Sequence, residues 1–336
     1  MPRVTLRDVA EHAGVSVMTV SNVVNGHQHV SPAMRQRVRA ALAELGYRPD
    51  ARGRSLATGR SGMVALAFPD LRRPYFAELA HVLARACAGR GLRLLLEETG
   101  GTEEGERAVL RDRDAGLVDG ALIHPSALTA AELDEVRGGT PVVVLGEDPA
   151  PRADQVAVDN VAAARDAVAH LVALGRRRVA FLGVEAGGAS PTSRLRLEGY
   201  RDGLARAGLA ADPALVVARA SGDARAAEAA LGAALDDGMR LDALLCRDDL
   251  AAVGALRALH RRGLDVPGDV AVVGWDAVEL GESLVTTLTS VAPDTTALAE
   301  RALDLLLERV AGLDAPGRHV VVGHRLRVGE SAPLPS

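Results

Sequence analysis

The sequence predicts an α/β protein in two parts: a small all-α helix-turn-helix head at the N-terminus and a large body built on parallel sheet. Three observations predict it. The first 46 residues carry capped helical segments with apolar stripes, whereas from residue 61 short Val/Leu/Ala runs alternate with helical stretches. The charge divides near the same place. Residues 1–60 hold nine arginines against Asp8, Glu11, Glu44 and Asp50, a net of +5, and the remainder holds thirty arginines against forty acids, a net of −10. A basic head on an acidic body is the electrostatic footprint of nucleic-acid binding confined to one end.

The head, residues 1–46, reads as three helices. Thr5-Leu-Arg-Asp8 has the form of a capping box, and Leu6, Val9, Ala10 and Ala13 then repeat as one apolar stripe. Gly14 supplies the freedom of a tight turn. Ser16 caps a second helix whose Val20, Val23 and Val24 face inward until Asn25-Gly26 stops it. Ser31-Pro32 is a cap followed by proline at the first helical position, and Val38, Ala41, Leu42 and Leu45 line the third helix up to Gly46. Two helices joined through a short glycine-containing turn form a helix-turn-helix, whose second helix enters the major groove of DNA. With the valines inside, Val17, Met18, Ser21 and Asn22 face outward. Val and Met suit thymine methyls and Asn suits adenine. Periodicity alone fits the solvated face of an ordinary three-helix unit equally well. His27-Gln-His29 is read as a turn with phosphate or capping contacts, not as metal ligands.

Residues 47–60 form a polar hinge containing Gly53 and Gly59, too short to hold a free helix against the cost of nucleation. In the body, residues 61–336, Val64–Phe68, Leu92–Leu96, Ala121–His124, Val142–Leu145, Val179–Gly183, Ala243–Cys246 and Val270–Gly274 are continuous apolar runs. Such runs are strands buried on both faces, and their spacing fits βαβ crossovers. Periodicity leaves open whether there is one sheet or two.

Composition excludes several function classes. No apolar run approaches the length of a membrane span, and the N-terminus lacks the apolar stretch of a signal peptide, so a cytoplasmic protein with no membrane partner is expected. Cys87 and Cys246 lie far apart, which disfavours a disulfide framework and a zinc ribbon. All 39 basic residues are arginine, so neither a Schiff-base lysine nor a phosphate-loop lysine exists. Gly183-Val-Glu-Ala-Gly-Gly follows a strand but lacks the Gly-Lys-Ser/Thr ending of a phosphate loop. No nucleophile elbow, His-Glu-x-x-His or Gly-x-Gly-x-x-Gly occurs. The expectation is therefore a regulator, not an enzyme or a transport-type binding protein, with no catalytic residues, metal or cofactor.

Specific segments add a resemblance. Thr5-Leu-Arg-Asp-Val-Ala10 through Gly14-Val-Ser16, Thr19-Val-Ser-Asn-Val-Val-Asn25, His29-Val-Ser31 and Leu45-Gly-Tyr-Arg-Pro49 resemble the head of the LacI/GalR family of bacterial repressors. In the body, Phe68-Pro-Asp-Leu71, Pro74-Tyr-Phe76, Val118-Asp-Gly120, Val158-Asp-Asn160, Gly254-Ala-Leu-Arg257 and Val272-Val-Gly-Trp-Asp276 fall in that family's order. The resemblance implies a periplasmic-binding-protein-like core of two lobes, each a doubly wound parallel sheet. They are placed at about 61–160 plus 292–320 and at about 161–291 plus 321–336. It also implies a homodimer that reads a palindromic double-stranded DNA operator and answers to a small-molecule effector, a carbohydrate. The tail Val328–Ser336, with two prolines and a lone leucine, does not form the leucine heptads that make some relatives tetramers.

Site residues follow from the same resemblance, position by position. Val17, Met18 and Asn22 read bases, Asn22 standing where arginine is frequent, and Thr5, Ser16, Thr19, Ser21, Asn25 and His29 complete the DNA-binding face. Arg52 and Leu56 belong to the hinge, with Leu56 as the wedge that opens the minor groove. Gly53 stands where alanine is usual. The effector cleft takes Asp70, Tyr75 and Phe76 after the first strand, Ser126 after the third, and Trp275 at a strand end. Arg196 and Asp276 match the family's effector-binding arginine and aspartate. Arg247 replaces a frequent asparagine. Its charge would favour an anionic ligand such as a phosphorylated or acidic sugar, or would pair with Asp248, Asp249 or Asp276, and the sequence leaves both open.

Overall fold

The computed structural model describes residues 4–24, 30–47, 60–112, 116–139, 141–147, 152–185, 190–220 and 222–334. The chain divides into two compact units, Met1–Ser61 and Gly62–Ser336.

The first unit holds α1 (Leu6–Ala13), α2 (Val17–Val24) and α3 (Pro32–Glu44). Each helix begins where a side-chain oxygen takes over an orphan amide. The Asp8 amide donates to Thr5 Oγ1 at 3.3 Å while the Thr5 amide donates to Asp8 Oδ2 at 2.7 Å, which closes the capping box. The Thr19 amide donates to Ser16 Oγ at 3.1 Å, and Ser31 receives the Met34 amide. Gly14 adopts φ +61, the left-handed conformation that lets α1 stop and α2 start at an angle. Val9, Ala10, Ala13, Val20, Val23, Val38 and Ala41 form the core, with Val24, Leu42 and Leu45 packed against its edge.

The second unit contains two six-stranded sheets. The first is built from β1 (Met63–Phe68), β2 (Arg93–Glu98), β3 (Gly120–Ile123), β4 (Val142–Leu145), β5 (Asp154–Val158) and β11 (His319–Val322), in the order β11-β5-β4-β3-β1-β2 and all parallel. The second uses β6 (Val179–Glu185), β7 (Val216–Arg219), β8 (Ala243–Cys246), β9 (Ala271–Trp275), β10 (Thr289–Pro293) and β12 (His324–Arg327), in the order β12-β10-β9-β8-β6-β7. Only β12 runs antiparallel there. The connecting helices are α4 (Pro74–Gly89), α5 (Glu103–Asp112), α6 (Ala130–Val136), α7 (Asn160–Ala173), α8 (Pro191–Arg206), α9 (Ala224–Asp236), α10 (Asp249–His260) and α11 (Thr295–Val310). Among the described residues no helix is long and apolar enough to cross a membrane.

Both faces of both sheets are covered, as parallel sheets require. In the first sheet α4 and α11 bury Leu79, Leu83, Leu303 and Leu306 on one face, and Val109, Leu110 and Leu133 cover the other. In the second sheet α7 and α8 cover one face through Val168, Leu171, Tyr200 and Leu204, while α9 and α10 cover the other. The chain passes between sheets after Val158, after Pro293 and after Val322. Ala292 and Pro293 thus pair in the second sheet, and Val321 and Val322 in the first.

Several expectations differ from what is observed, among them the lobe boundaries, since Ala292 and Pro293 lie in the second sheet and Val321 and Val322 in the first. The run at Leu92–Leu96 is a strand, but as β2 at the sheet edge it leaves Leu95 and Leu96 exposed and is not buried on both faces. The third run ends at Ile123, so His124 is the first residue beyond the strand.

Candidate functional site

On the head, the structure sets Val17 and Met18 outward, at 43% and 70% exposure, the two large apolar side chains of α2 that the core does not absorb. Ser16 is exposed, while Thr19, Ser21 and Asn22 are half-buried beside them. Thr5 is exposed but its hydroxyl is engaged with Asp8. The predicted contacts Asn25, His29, Arg52 and Leu56, with Gly53, lie outside the described residues.

In the second unit a cavity of about 60 Å³ opens between the two sheets, at the carboxyl ends of their strands. In open α/β folds this is where ligands collect, because each strand delivers one residue to the rim as it turns into its helix. β3 delivers His124, β4 delivers Glu147, β8 delivers Arg247 and β9 delivers Asp276. The first turn of α4 adds Tyr75 and Phe76, and α8 adds Thr192 and Arg196. Leu145, Val156, Pro293 and Leu298 supply an apolar floor.

Arg196 is the best-anchored of these side chains. Its Nε donates to Asn160 Oδ1 at 2.7 Å, its Nη1 donates to the Arg247 carbonyl, and its guanidinium lies 4.0 Å over the Trp275 ring. That stacking fixes the plane of the fork. The remaining Nη2 stands 4.0 Å from Asp276 Oδ1, too far for a direct hydrogen bond. Burial brings Arg196 down to about 10, against the pull of Asp276, and it stays charged. Burial pushes Asp276 up to about 6, against the pull of Arg196. Asp276 is also held at φ +99, and a non-glycine residue with such a backbone marks stored strain at a presented side chain.

The predicted cleft residues divide into two groups. Tyr75, Phe76, Arg196, Arg247 and Asp276 come together on the cavity wall. Asp70, Ser126 and Trp275 do not line it. Asp70 turns to Arg72, whose Nε and Nη2 both donate to it at 2.9 Å, because the loop after β1 folds back on itself. The Ser126 amide is taken by Glu106 Oε1 and its residue is exposed. Trp275 is fully buried behind Arg196, with its indole N–H unpartnered among the described residues, so it supports the arginine from below. Arg247 takes the pairing alternative: it donates to Asp248 at 2.9 Å and to Ser193 Oγ at 2.5 Å, and meets Glu185 at 3.2 Å.

Sequence reasoning missed Arg73, His124, Glu147 and Thr192. Each is a polar residue just past a strand or at a helix start, a signal that exists in the sequence but gains meaning only once strand ends are placed. His124 packs edge-on to Phe76 with ring centroids 5.0 Å apart, and burial lowers it to about 4, so the ring is neutral near pH 7. Its Nδ1 is buried without a hydrogen-bond partner among the described residues. Glu147 receives Asn160 Nδ2 at 2.6 Å and, across the cleft, the Thr192 hydroxyl at 2.8 Å. The wall thus offers a fixed guanidinium donor, carboxylate acceptors and aromatic faces around a small volume, the combination that holds a polyol.

Comparison with known proteins gives the following matches. Residues 5–50 match the profile of bacterial regulatory proteins of the lacI family, and residues 168–332 match a periplasmic binding protein-like domain. The chain is 32% identical over 325 residues to the HTH-type transcriptional repressor CytR of Escherichia coli K12, covering 96% of this chain and 93% of that protein. Its fold superposes on the lac repressor dimer bound to operator and the anti-inducer ONPF with a TM-score of 0.85 and 28% identity, over 99% of this chain and all of that one. A complex of the transcriptional regulator CelR with cellobiose gives a TM-score of 0.72 and 31% identity over 98% of this chain and all of that one.

Proposed function

This chain belongs to the lacI family of bacterial regulatory proteins, and from that premise we propose that it is a cytoplasmic, non-enzymatic repressor whose hold on operator DNA is set by a carbohydrate effector. Residues 1–46 bind DNA, 47–60 form the hinge, and the remainder binds the effector and dimerises. Val17, Met18 and Asn22 read bases, and Leu56 wedges the minor groove at the dyad. The observation that carries the effector reading is the convergence of Arg196 and Asp276 on one interlobe cavity, 4.0 Å apart and not bonded to each other. A hydroxyl pair fits between them, accepting from the guanidinium and donating to the carboxylate. Because Arg247 is already matched by Asp248 and Glu185, the charge pattern favours an uncharged sugar over a phosphorylated or acidic one.

The test begins with an operator selected from random duplexes and an effector chosen by thermal shift among carbohydrates. Arg196→Ala and Asp276→Asn are then expected to bind operator as the wild type does but to ignore the effector. Asparagine is chosen at 276 because it tolerates the positive φ. Removing a charged hydrogen-bond partner from an enclosed site costs about 2–5 kcal/mol, more than a typical allosteric coupling of about 1–3 kcal/mol. Folded variants that release DNA at the wild-type effector concentration would overturn the reading.

A further inference from the structure

Asp248 caps α10, its Oδ1 receiving the Ala251 amide at 2.8 Å. The same carboxylate is crowded by three arginines. Oδ1 also receives Arg219 Nη1 at 3.2 Å, while Oδ2 receives Arg219 Nη2 at 2.5 Å, Arg247 Nη1 at 2.9 Å and Arg73 Nη2 at 3.1 Å. A carboxylate offers about four lone-pair sites, so these five donors exceed what it can satisfy.

The surplus donor is identifiable. Arg219 is bidentate and its side chain is 1% exposed. Arg247 is anchored a second time by Ser193 and Glu185. Among the described residues Arg73 makes one side-chain hydrogen bond, the longest of the three on Oδ2, with a side chain 27% exposed and 5.8 Å over the Phe76 ring. It is also the one arginine of the three that comes from the other lobe: it precedes α4 on the first sheet, whereas Arg219, Arg247 and Asp248 all belong to the second. Beside it, the Glu279 amide after β9 donates to Glu78 Oε1 of α4 at 2.7 Å, a second bond across the same side of the cleft.

We propose that Arg73 is a detachable latch, a cross-cleft donor that Asp248 does not need for its own stability and whose bond biases the two lobes toward closure. A buried carboxylate that loses a needed partner destabilises the fold strongly. One that loses a surplus partner loses no more than that bond, and the loss is read in the equilibrium between closed and open lobes. The latch is a property of the lobes alone, so it stands or falls apart from the identity of the effector.

Melting and hydrogen exchange of the full-length protein without added ligand test it, with wild type, Arg73→Ala and Arg219→Ala compared. Arg73→Ala is expected to melt no more than about 5 °C below wild type, the shift to which a tenfold loss corresponds in a domain of this size. The amide of Glu279, which donates across the cleft to Glu78, should exchange about tenfold faster, as loss of one charge-assisted bond predicts for local opening, while those of 276–278, bonded within the second lobe, should not change. Arg219→Ala should melt far lower. An Arg73→Ala protein that melts as low as Arg219→Ala would show that Arg73 is not surplus, and unchanged exchange at Glu279 would show that it latches nothing. Either result overturns the proposal.

Discussion

Asp249 shows how much a single buried carboxyl can decide. It accepts the Ser290 hydroxyl at 2.6 Å and the Val278 amide at 2.9 Å, and burial, reinforced by the nearby Asp276, pushes it up to about 7. An acid raised in the folded state contributes stability that is complete below its unfolded value near 4 and is lost as pH rises through about 7. Asp276, raised to about 6, acts in the same direction. Melting temperature is therefore expected to fall between pH 5 and pH 8, and to fall less in Asp249→Asn, whose amide can keep both bonds; parallel pH profiles would refute this. Gly183 carries a different constraint. It sits at φ +127, and a Cβ there would lie 2.6 Å from the Cβ of Arg247. Gly183→Ala should displace Arg247 and cost about 1–3 kcal/mol, the usual cost of a strained backbone, measurable by denaturant melts. Residue types at the site were legible where a motif fixed them, as at Arg196 and Asp276. Arg73, His124 and Glu147 were not, because a polar residue after a strand has no periodicity to announce it.

At the scale of elements, the helices of the head were readable because their signals are local. Thr5 and Asp8 are three residues apart, and the bonds between them form within one turn. Thr5→Ala should cost the head about 1 kcal/mol, seen as earlier melting of its helical signal. Asn22→Ala and Met18→Ala should each weaken operator binding by about 1–3 kcal/mol if they read bases and leave random DNA nearly unaffected; equal losses on both would show that α2 does not specify sequence. Elements held by distant partners were harder to read. β5, β7, β10, β11 and β12 carry no long apolar run to mark them, and three of them begin or end in charged residues. β5 starts with Asp154, fully buried, where Arg309 of α11 and Arg318 before β11 each donate two side-chain bonds. Burial alone would raise Asp154, but those arginines hold it well below the usual carboxylate range. Asp154→Ala should cost about 3–5 kcal/mol by stranding two guanidinium groups, detectable in equilibrium unfolding.

For the whole molecule, the proposed hinge gives the sharpest separation of roles to test. If Leu56 is the proposed wedge, Leu56→Ala should lose operator affinity with little change in effector binding, because such a wedge acts on DNA alone. Gly53→Ala should tighten operator binding by about 1 kcal/mol of helix propensity, and weaker binding would sink the hinge-helix assignment. What the sequence by itself determined is whatever rests on neighbours within a turn or on alternation along a run. That covers the three capped helices with their valine core, seven strands of parallel sheet, and a basic head on an acidic body. Motif spacing added the family and, with it, Arg196 and Asp276. Tertiary structure alone decided which strands share a sheet, that β2 is an exposed edge, that Asp70, Ser126 and Trp275 stand off the cavity, and that Arg247 is neutralised in place. The physical reason is range. A cap or an apolar stripe is settled over a few residues, whereas the partner of a buried charge is chosen by what the fold brings beside it, here Arg73 and Asp248, 175 positions apart.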